Sequence, residues 1–474
     1  MKRLAIAGVA LVGLALSAGA KTVWTYWTSG EGKTMRRYIS DASGWTLRVV
    51  EVEIDGVKGI GTDLRPLQQA KTGSHESQGQ DGDLDFTTIT DEQGNSYKFI
   101  KFGGYFCMDG FDISKSHVTS VVAPDLMDCD GNGYEFSNSS AYITNVVLSS
   151  EVRTISPRFL QSANALQHFE PTTFPKLTTI GAYAFGSSDG KHPVPMPSLI
   201  CPELVEVKDG AFRLSPMTAI SMPKVRHVGK MAFYQSSVSG EFDLPCLTNV
   251  LDMAFQFSQV GNFKATNLVY VGASAFRNLP NMVDFTAGEK LEYIGDFAFY
   301  GYGGSLAHFT PFLPKSLKFL GEQVFAESTK LNSDLVFDIP GITMVPTGCF
   351  HHCKTTNYVF KSRIKSVAKN AFTDLPRGSK LWFYSGCPVF EGDSIKTAYP
   401  RFYVYFSSGY LNKDARPDWE TLAAESPIDG TDRARTDFVP KAIGKFCRNS
   451  TNPDAFGYVV PFRPKGEGLS VILR

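Results

Sequence analysis

The residue string richest in donor atoms is Cys349-Phe350-His351-His352-Cys353. Two thiols and two imidazoles within five residues are the ligand types that hold zinc. A second string, Asp128, Asp130 and Asn132 followed by Gly133, matches the opening of a calcium loop. Its twelfth position, where a bidentate Glu belongs, is Ser139. The calcium reading is therefore half a motif, and a polar insertion between two strands is the alternative. GEGKT at 30–34 lacks the leading Gly of a phosphate loop at the required spacing. No Ser-His-Asp set and no paired carboxylates stand in a catalytic frame, so no enzyme, catalytic residue or cofactor is expected.

The elements that must position such residues come from an internal period. A phrase of the form apolar-x-x-apolar-x-x-x-small-Phe recurs with its anchors at Phe185, Phe212, Phe233, Phe255, Phe276, Phe299, Phe325, Phe350 and Phe372, after a weaker copy ending at Leu160. The steps run from 21 to 27 residues with a mean of 23.6. Between anchors, apolar residues fall at offsets 0, 3 and 5, as in Val118-Val121-Ala123, Ile143-Val146-Leu148, Met217-Ile220-Met222 and Met282-Phe285-Ala287. Alternation at offsets 3 and 5 is strand periodicity. Pro124, Pro202, Pro223 and Pro245 follow and would stop each strand. One strand and one turn cannot bury their own apolar faces, but stacked copies share a core. A solenoid follows, with about eleven or twelve parallel strands on one face, Gly-x-x-Ala-Phe as a short helical turn on the other, and the Phe anchors as an internal column.

These phrases resemble the BspA-type leucine-rich repeats of bacterial and protist surface proteins. IGAYAF (180–185), IGDFAF (294–299) and CFHHC (349–353) carry the likeness, and LDFTTITDEQGNSYKFIKFGG (84–104) is similar to the lead-in of such arrays. The resemblance implies an α/β repeat solenoid with a parallel β-sheet on one face and short helical turns or loops on the other. It also implies adhesion, or host and matrix binding. This chain departs from the pattern by placing Ser188, Ser215, Ser236, Ser258 and Ser328 where the family has Cys.

The repeat frame also weighs the zinc reading. Cys349 takes the small position before the anchor and Cys353 the Ser/Cys position, so both are explained by packing. The histidines then fall on the outer turn as ordinary polar residues, and no metal is expected. Cys201 and Cys246 lie two repeats apart, so their strands sit about 9–10 Å apart, beyond the roughly 7 Å reach of a disulfide. Cys387 and Cys447 lie in the tail, where a bridge would pin a loose cap; Cys107 and Cys129 are a weaker case.

The organisation reads as follows. Residues 1–20 have Lys2 and Arg3, a short apolar core and Ala18-Gly19-Ala20, the pattern of a secretory signal cleaved near Ala20. Residues 21–67 form a small β-rich segment with a strand at TLRVVEVEIDG, and 68–83 a flexible linker. The solenoid spans 84–386, and 387–474 are a C-terminal cap with a strand at 400–406 and a short helix at 418–425. Lys plus Arg and Asp plus Glu both number 47, so no basic field exists to hold nucleic acid. With no apolar run of spanning length after the signal, a secreted or cell-surface location is expected.

If offsets 3 and 5 point inward, the outward positions display His168, Glu170, Glu241, Asp243, Asn262, Lys264, Asp284, His308 and Asp338, then Trp382 and Tyr384. This is a polar face with an acidic centre and an aromatic end. A solvated face is the bland reading for any one of these residues. Together they suit non-catalytic binding of an extracellular protein or glycan. The alternative is a structural component of an extracellular or surface assembly.

Overall fold

The computed structural model describes residues 23–29, 36–40, 46–62, 81–103, 117–129, 142–187, 193–301, 304–331, 334–376, 378–384, 388–391, 394–396, 402–407, 447–448 and 456–462. The leader at 1–20, the tail helix expected at 418–425, Cys107 and Cys387 lie outside these residues.

The chain begins with an antiparallel meander, β1 (Val23–Ser29), β2 (Arg36–Ser40), β3 (Thr46–Ile54) and β4 (Val57–Thr62). The β3–β4 turn is Asp55-Gly56, with φ of 50° and 77°. Two left-handed residues make the hairpin turn that matches strand twist, which is why Asp-Gly stands there. β5 (Asp81–Asp85) then opens the long-strand sheet of the solenoid, parallel to His117–Ala123. It corrects the expected linker: Asp81, Gly82 and Asp83 are strand, held by the neighbouring coil despite a composition that favours loops. β6 (Thr88–Asp91) pairs with β1, and β7 (Phe99–Phe102) bridges β4 to β8 (Asp128–Cys129). The Arg153 amide donates to the Met127 carbonyl at 3.0 Å, carrying this sheet into Thr154–Ile155, the first short strand of the repeats. An Arg153–Asp55 ion pair ties the hairpin turn to the same place.

Each repeat contributes two strands. The long-strand face is a succession of parallel sheets: Asp81–Asp85, His117–Ala123, Asn145–Leu148 and His168–Glu170, then the pair Leu199–Ile200 and Ile220–Ser221, then Ser239–Asp243, Gln259–Ala265, Asp284–Ala287 and His308–Thr310, then a sheet that opens with Asp334–Phe337, Asn357–Phe360 and Lys380–Phe383. The second sheet is built of two-residue strands from the first half of the anchor phrase, such as Thr179–Ile180, Glu206–Val207, Tyr270–Val271 and Tyr293–Ile294. The long-strand sheet also continues past residue 386. Phe402–Ser407 pairs in parallel with Lys380–Phe383, Phe456–Phe462 follows, and antiparallel Cys447–Arg448 covers the edge. The anchor phrase ends near Phe372, but strand alternation does not, so the sheet outlasts the visible repeat.

The helical turn is corrected: no described residue is helical. The residue two before every anchor, and the residue two after every anchor but Phe185 and Phe299, has left-handed backbone, as in Met231 and Gln235 (φ 54° and 51°) around Phe233 and Met253 and Phe257 (56° and 60°) around Phe255. An α-helix cannot carry such residues at every fourth position. Their amides alternate instead. Tyr183, Phe185 and Ser187 donate to Asp209, Ala211 and Arg213 of the next coil at 2.8–3.0 Å, while Ala184 and Gly186 close i−3 turns. The segment is thus a third ladder between coils.

Inside, the nine anchor rings stack face to face at 5.1–5.8 Å, with interplanar angles of 4–23°. A second column from the long strands, Phe242, Phe263, Phe285 and Phe309, meets it edge-on, as at Phe263–Phe276 (4.8 Å, 68°) and Phe285–Phe299 (4.7 Å, 71°). Edge-to-face contact follows from the ring quadrupole and is worth about 0.5–1.5 kcal/mol per pair beyond area burial. The Ser/Cys position three after the anchor is buried at Ser215, Ser236, Ser258, Ser328 and Cys353; Ser188 lies outside the described residues. Cys353 Sγ and Ser328 Oγ each donate to the anchor carbonyl of the preceding coil, Phe325 at 2.9 Å and Phe299 at 3.3 Å. Ser215 Oγ instead accepts from the Met217 amide at 3.3 Å, and Ser236 and Ser258 are buried without a hydrogen-bond partner, so what the position shares is small size.

Candidate functional site

Flanking the buried ring of each long strand are two outward positions, and parallel register stacks them into two columns. The first holds Glu241, Asn262, Asp284 and His308; the second holds Asp243, Lys264, Thr286 and Thr310. Neighbours partner one another. Lys264 Nζ lies 2.9 Å from Asp243 Oδ2, and His308 Nδ1 lies 2.7 Å from Asp284 Oδ1. The Asp284 amide donates to Asn262 Oδ1 at 2.9 Å, and Asn262 Nδ2 to Glu241 Oε1 at 3.5 Å. The carboxylates of the acidic centre thus meet Lys264, the His308 ring and the Asn262 amide one coil away. His168 and Glu170 face each other at 3.6 Å at the N-terminal end, and Lys315 lies 2.8 Å from Asp338 Oδ2, holding that carboxyl below the usual range.

The far end differs. Val336, Val359 and Trp382 share one register row, followed by Tyr405. Val336 is 40% exposed, and Val359 and Trp382 are half-buried. The indole Nε1–H donates to Asn357 Oδ1 at 2.7 Å, which fixes the ring. Tyr384, the other aromatic expected here, follows the strand and is half-buried. Two valines beside an oriented indole make an apolar strip at this end; elsewhere on the long strands Val122 and Val147 are outward and half-buried, and Ile200 is 50% exposed.

A second surface escaped the sequence reading. Tyr270, Tyr293 and Phe319 stack in register on the outside of the short-strand sheet, at 4.6 and 4.5 Å with interplanar angles of 11° and 7°. Phe319 is 43% exposed, and Met344, at the same phrase position one repeat on, is 45% exposed. The signal was present in LVYVG, LEYIG, LKFLG and ITMVP, where the position held by Thr, Glu, His and Asn in earlier repeats turns apolar.

The metal string divides in two. Cys349 and Cys353 are fully buried beside Phe350 in the core, and burial pushes both thiols far up. Cys201 is likewise buried, free and pushed up to about 12. Cys246 is free and half-buried. A protonated, buried thiol does not react. On native protein at pH 8, a thiol reagent should modify Cys246 and spare Cys201, Cys349 and Cys353 until denaturant is added; peptide mapping that finds Cys353 labelled as fast as Cys246 would refute the burial. The histidines are not the ordinary polar residues expected, because Glu327 and Asp374 of neighbouring coils reach His352. Of the calcium string, Asp128 lies in β8 and Asp130 to Ser139 lie outside the described residues. Of the Cys387–Cys447 pair, only the backbone strand at Cys447 is described.

Two parallel sheets joined by a turn ribbon around a phenylalanine ladder define a leucine-rich-repeat solenoid. The model of the BspA type leucine rich repeat region matches the chain in six copies, over residues 116–200, 205–332 and 248–377. These spans cover more than half of the sequence, and the chain belongs to the BspA-type leucine-rich repeat family. A leucine-rich repeat protein from Bacteroides ovatus, known from a crystal structure, is similar at 14% identity over 70% of this chain and 93% of that one, with a TM-score of 0.33. No curated protein matches. Among the described residues, no helix is long and apolar enough to cross a membrane.

Proposed function

We propose that the chain is exported by its 1–20 leader and binds an extracellular protein or glycan, without catalysis, through the long-strand sheet. The observation that carries this reading is the contrast along that face. Its centre is a mutually satisfied polar ladder, and its end is an apolar strip with a fixed indole at Trp382. Matched charges contribute orientation more than affinity, whereas a desolvated Trp is the residue type most often found at binding hot spots. The strip is built by parallel register, so a ligand meets it pre-formed and need not order it.

The test is a binding screen of the purified chain against matrix proteins, host surface glycoproteins and glycans. For a ligand so found, Trp382→Ala should weaken binding by about 2 kcal/mol or more, roughly thirtyfold. A folded variant with Glu241→Ala, Asp243→Ala and Asp284→Ala should lose less than tenfold. Undiminished binding by Trp382→Ala would move the site elsewhere. The second reading, a structural component of a surface assembly, draws on the exposed Tyr293–Phe319 ladder. A molecular mass that rises with concentration, and falls back in Phe319→Ser, would favour it.

A further inference from the structure

The turn ribbon places the same backbone position of successive coils in line. Two residues after the anchor, three consecutive repeats carry Glu327, His352 and Asp374, each in left-handed conformation (φ 63°, 56° and 57°). His352 Nδ1 lies 2.7 Å from Glu327 Oε1, and His352 Nε2 lies 2.5 Å from Asp374 Oδ2. His351 stacks its ring on His352 at 3.9 Å, and its Nε2 lies 3.8 Å from the same Glu327 oxygen. His351 Nδ1 is buried with no hydrogen-bond partner. Ligand atoms of Glu327, His351 and His352 all fall within 4.8 Å of one another.

We propose that Glu327, His351 and His352 bind one divalent transition-metal ion of the zinc type, with Asp374 as the outer carboxylate that holds His352. A tetrahedral ion with bonds near 2.0–2.2 Å needs its ligand atoms about 3.3 Å apart. The observed 2.7 and 3.8 Å bracket that value, so small rotations of the two partly exposed imidazoles about the largely buried Glu327 carboxylate close the site. With an ion in place of the Nδ1 proton that now faces Glu327, Asp374 accepting from Nε2–H would hold the tautomer whose Nδ1 ligates, as carboxylates behind metal-bound histidines do. The cysteines of the string take no part, since their sulfurs face the core. Two imidazoles and one carboxylate suit zinc, copper, nickel or iron(II) and not calcium or magnesium. The ion would clamp two adjacent coils and leave an outward position for water or for a donor from another molecule. This inference is independent of the sheet-face reading.

The test is a titration of untagged, chelator-stripped full-length protein with zinc chloride at pH 7.5, followed by calorimetry, with cobalt(II) as the spectroscopic probe. One ion per chain is expected, and cobalt should give visible absorption without a thiolate charge-transfer band. Binding should vanish in His351→Ala/His352→Ala and weaken by tenfold or more in the near-isosteric Glu327→Gln. Asp374→Asn should cost roughly 10–100-fold, and Cys353→Ser should keep the stoichiometry. Absence of saturable binding, full binding by the double histidine variant, or a thiolate band would each overturn the proposal. Stabilisation by His352 at pH 5.5 without any metal uptake would also overturn it, leaving an ion pair between Glu327, His352 and Asp374.

Discussion

Phe276→Ala should lower the stability of the solenoid by about 3–5 kcal/mol. The ring is 1% exposed and sits at the crossing of both aromatic columns. It stacks on Phe255 and Phe299 at 5.5 and 5.3 Å and takes the edges of Phe263 and Phe285 at 4.8 and 5.1 Å. Truncation therefore removes four ring contacts and leaves a void that the laddered backbone on every side cannot close. Ser274→Ala, two residues away, keeps the Cβ and the amide bond to the Asp296 carbonyl at 2.8 Å, and should cost about 1 kcal/mol or less. Urea unfolding followed by fluorescence or circular dichroism reads both. Equal midpoints would mean that the anchor position is not the keystone of the repeat.

Gly288→Ala should be the most damaging single-methyl change. A Cβ there would lie 1.7 Å from the Thr266 carbonyl oxygen and 2.6 Å from its carbon, both backbone atoms. The cause is visible in the repeat. Thr266 and Asn267 separate Ala265 from Leu268, but Gly288, Glu289 and Lys290 separate Ala287 from Leu291. The extra residue presses the chain onto the preceding coil. The expected cost is at or above the upper end of the ~1–3 kcal/mol typical of overpacking. Gly240→Ala is the control: its φ is 88° and nothing lies within 4 Å of a Cβ, so it bears only the left-handed cost of about 1–2 kcal/mol. Thermal unfolding of the two variants compares them directly, and a Gly288→Ala protein no less stable than Gly240→Ala would contradict the close approach.

The anchor rings and the inward long-strand positions were legible because burial repeats with the coil. Phe185, Phe212 and Val121 each have to leave water, and only a regular period lets all copies do so together. The turn was misread because Gly-x-x-Ala-Phe spaces its apolar residues as a helix does, and its even residues do close i−3 turns. The partners of Tyr183 and Phe185 lie 26 residues on in sequence, at Asp209 and Ala211, and nothing local announces them. The short-strand sheet hid for the same reason, since Leu-x-x-Ile has helical spacing while its two-residue strands exist only through neighbouring coils.

The sequence by itself determined that the chain is a stack of like units, which residues fill its core, and hence its family. Those are consequences of periodic burial, which one chain displays along its length. Only the tertiary structure decided what the surface does. Register sets Lys264 against Asp243 and His308 against Asp284, turning an acidic string into a matched ladder. The same register brings Val336, Val359 and Trp382 into one row, and Glu327, His352 and Asp374 into one line on the ribbon. These residues stand 21–25 positions apart, and repeats of unequal length leave their alignment unsettled until backbone hydrogen bonds between coils fix it.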